Sequence, residues 1–339
     1  ITYYYFFYHF TLLASFSIIP YFPLNFIQKW SIITIKRNGV NNMKKALLVY
    51  NPKSGNSSQI TQNMDLIATS LLKKNISLTL YSINRKYNKL VDFLKNEKYD
   101  ILILSGGDGT LSRCLSDLYN ANIPFPKVAI FPTGTSNDLG NSLGLGASIN
   151  DWINNITEGA PTPVDFGLIN NKDIFLSSYA GGLFTQISYN TDKKLKKNFG
   201  KAAYYLNGLV ELSNIKKFKL NLTLDNNEVI EEESILFLIL NGKSVGGFGT
   251  VIDNADINDG LMNILIVKNI NNPLELPNIL VDFINNNLVN NNNIRTLTSK
   301  TCKIEKISEN ISISIDGEEG YNDDVNIEFI SEKLEIFKK

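Results

Sequence analysis

The run Ser105-Gly-Gly-Asp-Gly-Thr110 carries the clearest chemistry in this chain. It follows an apolar run, Tyr99-Asp-Ile-Leu-Ile-Leu104, that reads as a buried strand, and it precedes Leu111-Ser-Arg-Cys-Leu115, which reads as a helix start. Glycines at a strand-to-helix junction let backbone amides approach phosphate oxygens, and the helix N-terminus adds favourable partial charge. Asp108, set among those glycines, can hold a Mg2+ ion or receive a proton. The combination predicts a nucleotide-phosphate site.

Four further segments bear on it. Asn51-Pro-Lys-Ser-Gly55 offers hydrogen-bonding side chains and a backbone open to close approach, or is an ordinary strand-to-helix turn. In Phe131-Pro-Thr-Gly-Thr-Ser-Asn-Asp138, Thr133, Thr135 and Asn137 can bond phosphate or ribose, while Asp138 can cap a helix. Asp316 and Glu318 flank a glycine in Ile315-Asp-Gly-Glu-Glu319, where one acid can deprotonate a hydroxyl. Spacing alone favours a β-turn with solvated acids. Asp256-Ile-Asn-Asp-Gly-Leu-Met262 has oxygen donors suited to a hard cation, though taken alone the segment favours a plain Asp-Gly turn. Two lookalikes are set aside. Gly242-Lys243-Ser244 lacks the first glycine of a P-loop, and Asp165-Phe166-Gly167 has no H-R-D loop to accompany it.

Composition narrows the chemistry. The chain has 339 residues, enough for two domains, and is 43% hydrophobic. Lys plus Arg and Asp plus Glu number 33 each, so no global field draws the chain to nucleic acid. The sole histidine, His9, argues against Ser-His-Asp, Cys-His and His-rich metal chemistry, which leaves a carboxylate as general base. Cys114 and Cys302 have no metal-ligand spacing and suit a reducing compartment. Residues 1–42 are aromatic-rich, broken by Pro20 and Pro23, and precede Met43, where a first strand begins. They read as upstream translated sequence in preference to a membrane anchor and stay outside the fold argument.

The elements that position these motifs follow from periodicity. Strands are expected at Ala46–Tyr50, Ser77–Tyr81, Ile101–Leu104 and Lys127–Phe131, with helices near Ile60–Lys74, near Asn88–Asn96 and after the glycine-rich run. This βαβ pattern implies a parallel sheet whose ligand lies beyond the strand carboxyl ends. After Asp165, strands at Lys172–Ser178, Lys219–Leu224, Ser234–Leu240, Met262–Val267, Lys303–Ile307 and Ile311–Ile315 suggest an antiparallel region. Helices are expected near Ala202–Leu212 and Glu275–Asn286, and Asn291–Asn293 reads as a solvated loop. The division is therefore an N-terminal extension at 1–42, an α/β nucleotide-binding domain at 43–165 with a return at 320–339, and a β-rich domain at 166–319. The last strands, Asn326–Phe329 and Leu334–Phe337, are the candidates for that return. Lys193, Lys194, Lys196, Lys197 and Lys201 form a basic cluster that either docks an anionic membrane or is a solvated helix face.

Taken in order, NPKSG, SGGDGTLSRCL, FPTGTSNDLG, VDFG, NADINDGLMNILIV and IDGEEG resemble the diacylglycerol kinase catalytic-domain family, nearest to the soluble enzymes of Gram-positive bacteria. The resemblance spans nearly all of 43–339. It implies a three-layer α/β nucleotide-binding domain, a β-rich sandwich-like second domain and an active site in the cleft between them. It also implies ATP held by Asn51, Pro52, Lys53, Ser54, Gly55, Ser82, Gly106, Gly107, Asp108, Gly109, Thr110, Leu111, Ser112, Arg113 and Thr135. Asp108 would join a Mg2+–phosphate network, and Glu318 would accept the substrate's proton with Asp316 beside it. Asp256 and Leu261, through carbonyls, and Asp259, through its side chain, would hold a structural Mg2+. The expected reaction is phosphoryl transfer to diacylglycerol by a cytoplasmic, peripherally membrane-associated enzyme, and the family suggests a homodimer. Another lipid substrate (phosphatidylglycerol or a sphingoid base), NAD kinase activity and a non-catalytic lipid-binding role are the alternatives. One departure stands out: Ser112-Arg113 occupies the place where the family commonly has Asn-Glu.

Overall fold

The structure, a computed structural model, describes residues 43–83, 89–183, 185, 216–246, 251–252, 254–270, 275, 279, 282 and 291–339. The lysine cluster, the expected helix at 202–212 and most of the expected helix at 275–286 lie outside the described residues.

The first half is a parallel sheet covered on both faces. β1 (Lys44–Tyr50), β2 (Ile76–Ser82), β3 (Ile101–Gly106) and β4 (Lys127–Pro132) lie in the order β2-β1-β3-β4. All six residues of β3 are buried, as a strand sandwiched between helices requires. One face, with Leu47, Leu102, Leu104 and Val128, packs on Leu111, Leu115 and Leu118. Those three leucines lie at helical spacing along α4 (Asp108–Asn120). On the opposite face, Leu48, Ile101 and Ile103 meet Ile67 and Leu71 of α2 (Met64–Leu72) and Trp152 and Ile156 of α6 (Ile149–Thr157). Burying each such leucine or isoleucine stabilises the fold by about 1.5–3 kcal/mol.

Between these elements lie α1 (Ser58–Gln62), α3 (Leu90–Asn96) and α5 (Asp138–Leu143). The helix expected over Ile60–Lys74 is two helices. Asn63 interrupts it, with φ −113° and its side-chain amide donating to the Gln59 carbonyl at 2.8 Å, a local bond that competes with helix continuation.

The second half is antiparallel. β7 (Ser178–Gly182), β8 (Phe218–Leu224), β9 (Val229–Leu240), β10 (Met262–Lys268), β11 (Ile294–Ser299) and β12 (Thr301–Ile304) form its body. β9 is buried on both faces over its last residues. Phe237 and Ile239 point to one core and Leu236, Leu238 and Leu240 to another, the period-two alternation of a strand.

Two strands join the halves. β5 (Ala160–Ile169) passes through Asp165 without a break and pairs with β15 (Val325–Lys338). β15 pairs with β12 and β5 antiparallel and with β4 in parallel, at Ile336 and Val128. The two short strands expected at the C-terminus are thus one strand. Its register shifts between Ile330 and Leu334, where Glu332 takes a φ of +62°. The periodicity did not reveal β5 or β11. The strand expected over Lys172–Ser178 is broken into β6 (Asp173–Phe175) and the start of β7. The break arises because backbone amides at Leu176–Ser178 turn away to bind a carboxylate. β13 (Ile313–Ile315) and β14 (Glu318–Glu319) complete the sheet as a hairpin beside β7.

Candidate active site

Three loops leave the carboxyl ends of β1, β3 and β4 and interlock. The chain turns one way from β1 to β2 and the other way to β3, so the crevice lies at a topological switch point. Asn51 donates from its side chain to the Thr110 hydroxyl at 3.1 Å, and its own oxygen accepts from the Lys53 amide at 3.0 Å. The Ser54 hydroxyl donates to the Thr133 carbonyl at 2.6 Å, and the Thr133 hydroxyl lies 3.2 Å from that of Ser105. Gly106 accepts through its carbonyl from the amides of Thr133 and Gly134, at 3.0 and 3.1 Å. Gly107 and Gly134 meet backbone to backbone: a Cβ on Gly134 would collide with the Gly107 Cα, so position 134 admits no side chain without parting the loops.

These bonds sort the expected nucleotide contacts. Pro52, Lys53, Gly55, Ser82 and Thr135 are exposed at the crevice edge, and Gly107 and Thr110 are part-exposed. The side chains of Leu111 and Ser112 are buried and do not reach the crevice. Leu111 belongs to the core, and the Ser112 carbonyl accepts from the Ser116 hydroxyl at 2.8 Å. Thr133 is fully buried and Asn137 donates to the carbonyls of Pro132 and Gly134, so both brace the loop.

Asp108 is buried and does not face open solvent. Its Oδ2 accepts from the Asp138 amide at 2.9 Å and its Oδ1 from the Leu139 amide at 3.2 Å. The first acid of α4 therefore caps the N-terminus of α5, satisfying donors a helix start leaves open. Asp138 was expected to provide that cap. Its carboxylate instead accepts from the Gly246 amide at 2.7 Å and ties α5 to the second half.

The Asp316-Gly317 turn closes the β13–β14 hairpin with φ of +48° and +78°, the two positive values that a two-residue Asp-Gly turn of primed type requires. The turn expected from spacing is present, but its aspartate is not solvated. Asp316 is 8% exposed and accepts from the amides of Leu176 (2.7 Å), Ser177 (2.8 Å) and Ser178 (2.9 Å). Burial, and then the charge of nearby Asp108, push its carboxyl up to about 7 against the pull of those amides. Burial raises Asp108 likewise.

Glu318 leaves the same hairpin toward α4. Its Cγ occupies the space over Gly109, where an added Cβ would overlap it and would also lie 3.3 Å from the Asp316 carbonyl. Its Oε2 sits 3.6 Å from Nη2 of Arg113, and both side chains are about half exposed, at 47% and 50%. The glycine-rich loop opens α4, and the half-exposed Glu318 carboxylate lies along its first turns.

A second acidic locus lies away from this face. Asp256 accepts from the Asn258 amide at 3.3 Å and Asp259 from the Leu261 amide at 2.9 Å, the local turns that their spacing suggested. Asp165, set aside above as part of a kinase lookalike, accepts from the Gly260 amide at 2.6 Å and fixes the loop. Its carboxyl is raised first by burial and further by the charges of Asp259 and Asp256. Among the described residues no three His, Cys, Asp or Glu side chains converge on one ion position.

The architecture is that of a parallel α/β half whose glycine-rich loops face a carboxylate on an antiparallel β-rich half. Residues 45–169 match the diacylglycerol kinase catalytic domain, and residues 180–338 match the YegS C-terminal NAD kinase beta sandwich-like domain. Diacylglycerol kinases of Staphylococcus aureus (strain bovine RF122 / ET3-1) and Staphylococcus saprophyticus are each 30% identical over 87% of this chain, covering 92% and 95% of those proteins. A crystal structure from Bacillus anthracis str. Sterne aligns with a TM-score of 0.73 at 28% identity, covering 90% of this chain and 98% of that one. A second, of a diacylglycerol kinase from the same organism, shares the fold with a TM-score of 0.65 at 24% identity. The chain belongs to the diacylglycerol kinase family. Membership in a kinase family implies use of ATP. No helix among the described residues is long and apolar enough to cross a membrane.

Proposed function

We propose that this chain transfers the γ-phosphoryl group of ATP to the primary hydroxyl of diacylglycerol, giving phosphatidic acid at an anionic membrane surface in the cytoplasm. The observation that carries this reading is the seating of Glu318 over Gly109, on the helix whose first turn opens at the phosphate crevice. First-turn amides have no intrahelical partner and attract phosphate oxygens. The loops 51–55, 106–110 and 133–135 surround that point and hold the nucleotide largely through backbone.

Glu318 takes the proton from the lipid hydroxyl as its oxygen bonds to the γ-phosphorus. The bond from that phosphorus to the β–γ bridging oxygen breaks, and ADP leaves. Asp316 fixes the hairpin that carries Glu318, and Asp108 fixes α5 against the glycine loops. Both act through backbone amides. Because the transition state is loose, positioning and charge stabilisation supply most of the rate.

The structural Mg2+ site is assigned to Asp259 through its side chain and to Asp256 and Leu261 through carbonyls. This donor set is oxygen-only, as Mg2+ demands, and Asp165, Asp256 and Asp259 bring acids to the same loop. Bound there, the ion supplies loop rigidity and charge compensation. At the nucleotide, Asp108 is the acid within the 106–110 loop that would join a Mg2+–phosphate network.

The test is transfer of labelled γ-phosphate from Mg-ATP to diacylglycerol in anionic mixed micelles, with residues 43–339 and with Glu318→Gln. Labelled phosphatidic acid from the parent and a loss of about 100-fold or more in the variant support the reading. Equal rates remove Glu318 from the mechanism. No lipid product from a folded parent overturns the substrate, and phosphatidylglycerol, a sphingoid base and NAD are the acceptors tried next.

A further inference from the structure

Arg113 stands four residues after Gly109 on α4, so the two positions share one helix face. Glu318 lies lengthwise along that face. Its Cγ rests over Gly109, and its carboxylate ends 3.6 Å from the Arg113 guanidinium. The backbone beneath Glu318 is fixed, because the adjoining Asp316 is anchored by three amides. At the end of the glutamate chain, the carboxylate meets the Arg113 guanidinium.

We propose that Arg113 is a positioning residue that directs the Glu318 carboxylate, and not the nucleotide ligand that the family resemblance implies. This rests on the proton-accepting role given to Glu318 above. Three observations carry it. Gly109 has no side chain, so the stem of Glu318 lies flat on the helix and its head reaches one turn along, to position 113. Both partners are half exposed, which keeps the carboxylate open to a substrate while it is held. Such a half-exposed pair contributes little to stability, so the fold survives its removal and a loss of turnover can be read at the site. Small displacements of a reacting group cost large factors in rate.

The assignment separates two outcomes that a nucleotide role would reverse. A residue that places the base changes turnover at saturating ATP. A residue that holds ATP changes the ATP KM. Steady-state phosphoryl transfer to diacylglycerol is measured for the parent, Arg113→Ala, Arg113→Lys and Glu318→Gln, with thermal unfolding of each. Arg113→Ala is expected to lower kcat about tenfold or more with the ATP KM within about twofold of the parent. Arg113→Lys, which keeps a cation at shorter reach, restores most of the loss. An unchanged kcat in folded Arg113→Ala, a loss confined to the ATP KM, or no rescue by lysine each overturns the proposal. Glu318→Gln decides the underlying reading separately. A fully active Glu318→Gln removes the base itself, whereas an impaired Glu318→Gln beside a fully active Arg113→Ala removes only the role of the arginine.

Discussion

The carboxylate of Asp108, at the first turn of α4, accepts the backbone amide of Asp138 at the first turn of α5. Two helix starts from different loops are thereby pinned together, and the pin sits in the glycine-rich run that defines the crevice. Asp108→Ala leaves the Asp138 and Leu139 amides buried without an acceptor, at a cost of about 1–3 kcal/mol. Urea unfolding of the variant should show that loss, together with a weakened affinity for ATP as the β4 loop relaxes. Parent-like stability would mean that the cap is dispensable.

Gly109→Ala separates stability from activity. Alanine is the better helix residue by about 1 kcal/mol, yet its Cβ would displace Glu318 at Cγ, close to the backbone and not at a flexible tip. The variant should unfold at a temperature close to that of the parent and lose about 100-fold in kcat. Retained turnover would show that Glu318 need not lie over that position.

A different glycine governs the nucleotide side. The Cβ in Gly134→Ala would strike the Gly107 Cα and approach the Asn137 Oδ1 to 2.7 Å, forcing the two phosphate loops apart. The expected consequence is a rise in the ATP KM of about tenfold or more, with lipid KM little altered, because only the loop spacing changes. Titration of ATP at fixed lipid reads it directly.

Asp316 gives stability a pH dependence of known sign. Its carboxyl titrates at about 7 in the folded chain, raised by burial and by Asp108, against about 3.9 unfolded. The folded state therefore binds the proton more tightly. The contribution is fully present below pH ~4 and is lost as pH rises through about 7. Unfolding free energy measured from pH 4 to 8 should fall less steeply in Asp316→Asn, a residue that also tolerates the positive φ of the turn. Parallel slopes in parent and variant would mean that the three amides hold Asp316 ionised throughout.

The parallel half was readable because its signals are local. β1, β3 and β4 are short apolar runs, and each ends in a turn whose glycines, proline or asparagine impose geometry on their immediate neighbours. The primed turn at Asp316-Gly317 was equally plain, since two positive φ values are a property of those two residues. The ordered motifs also specified the family, which the matches at 45–169 and 180–338 bear out. β5 escaped notice because Ala160–Pro163 carries two prolines and no apolar alternation, and its pairing with β15 supplies the order that its composition does not.

Tertiary structure alone decided which groups those turns would face. Asp316 binds the amide of Leu176, 140 positions away, and that bond breaks one expected strand in two. Asp108 takes the capping place on α5 that local rules would give to Asp138, whose carboxylate accepts instead from the distant Gly246 amide. The closeness of Arg113 to Glu318 likewise depends on a hairpin docking across a glycine on a distant helix. Backbone turns are set by residues within a few bonds, so the sequence determines them. Burial of a carboxylate is set by whatever long-range packing brings over it, so only the folded chain determines whether an acid is solvated, braced or poised to react.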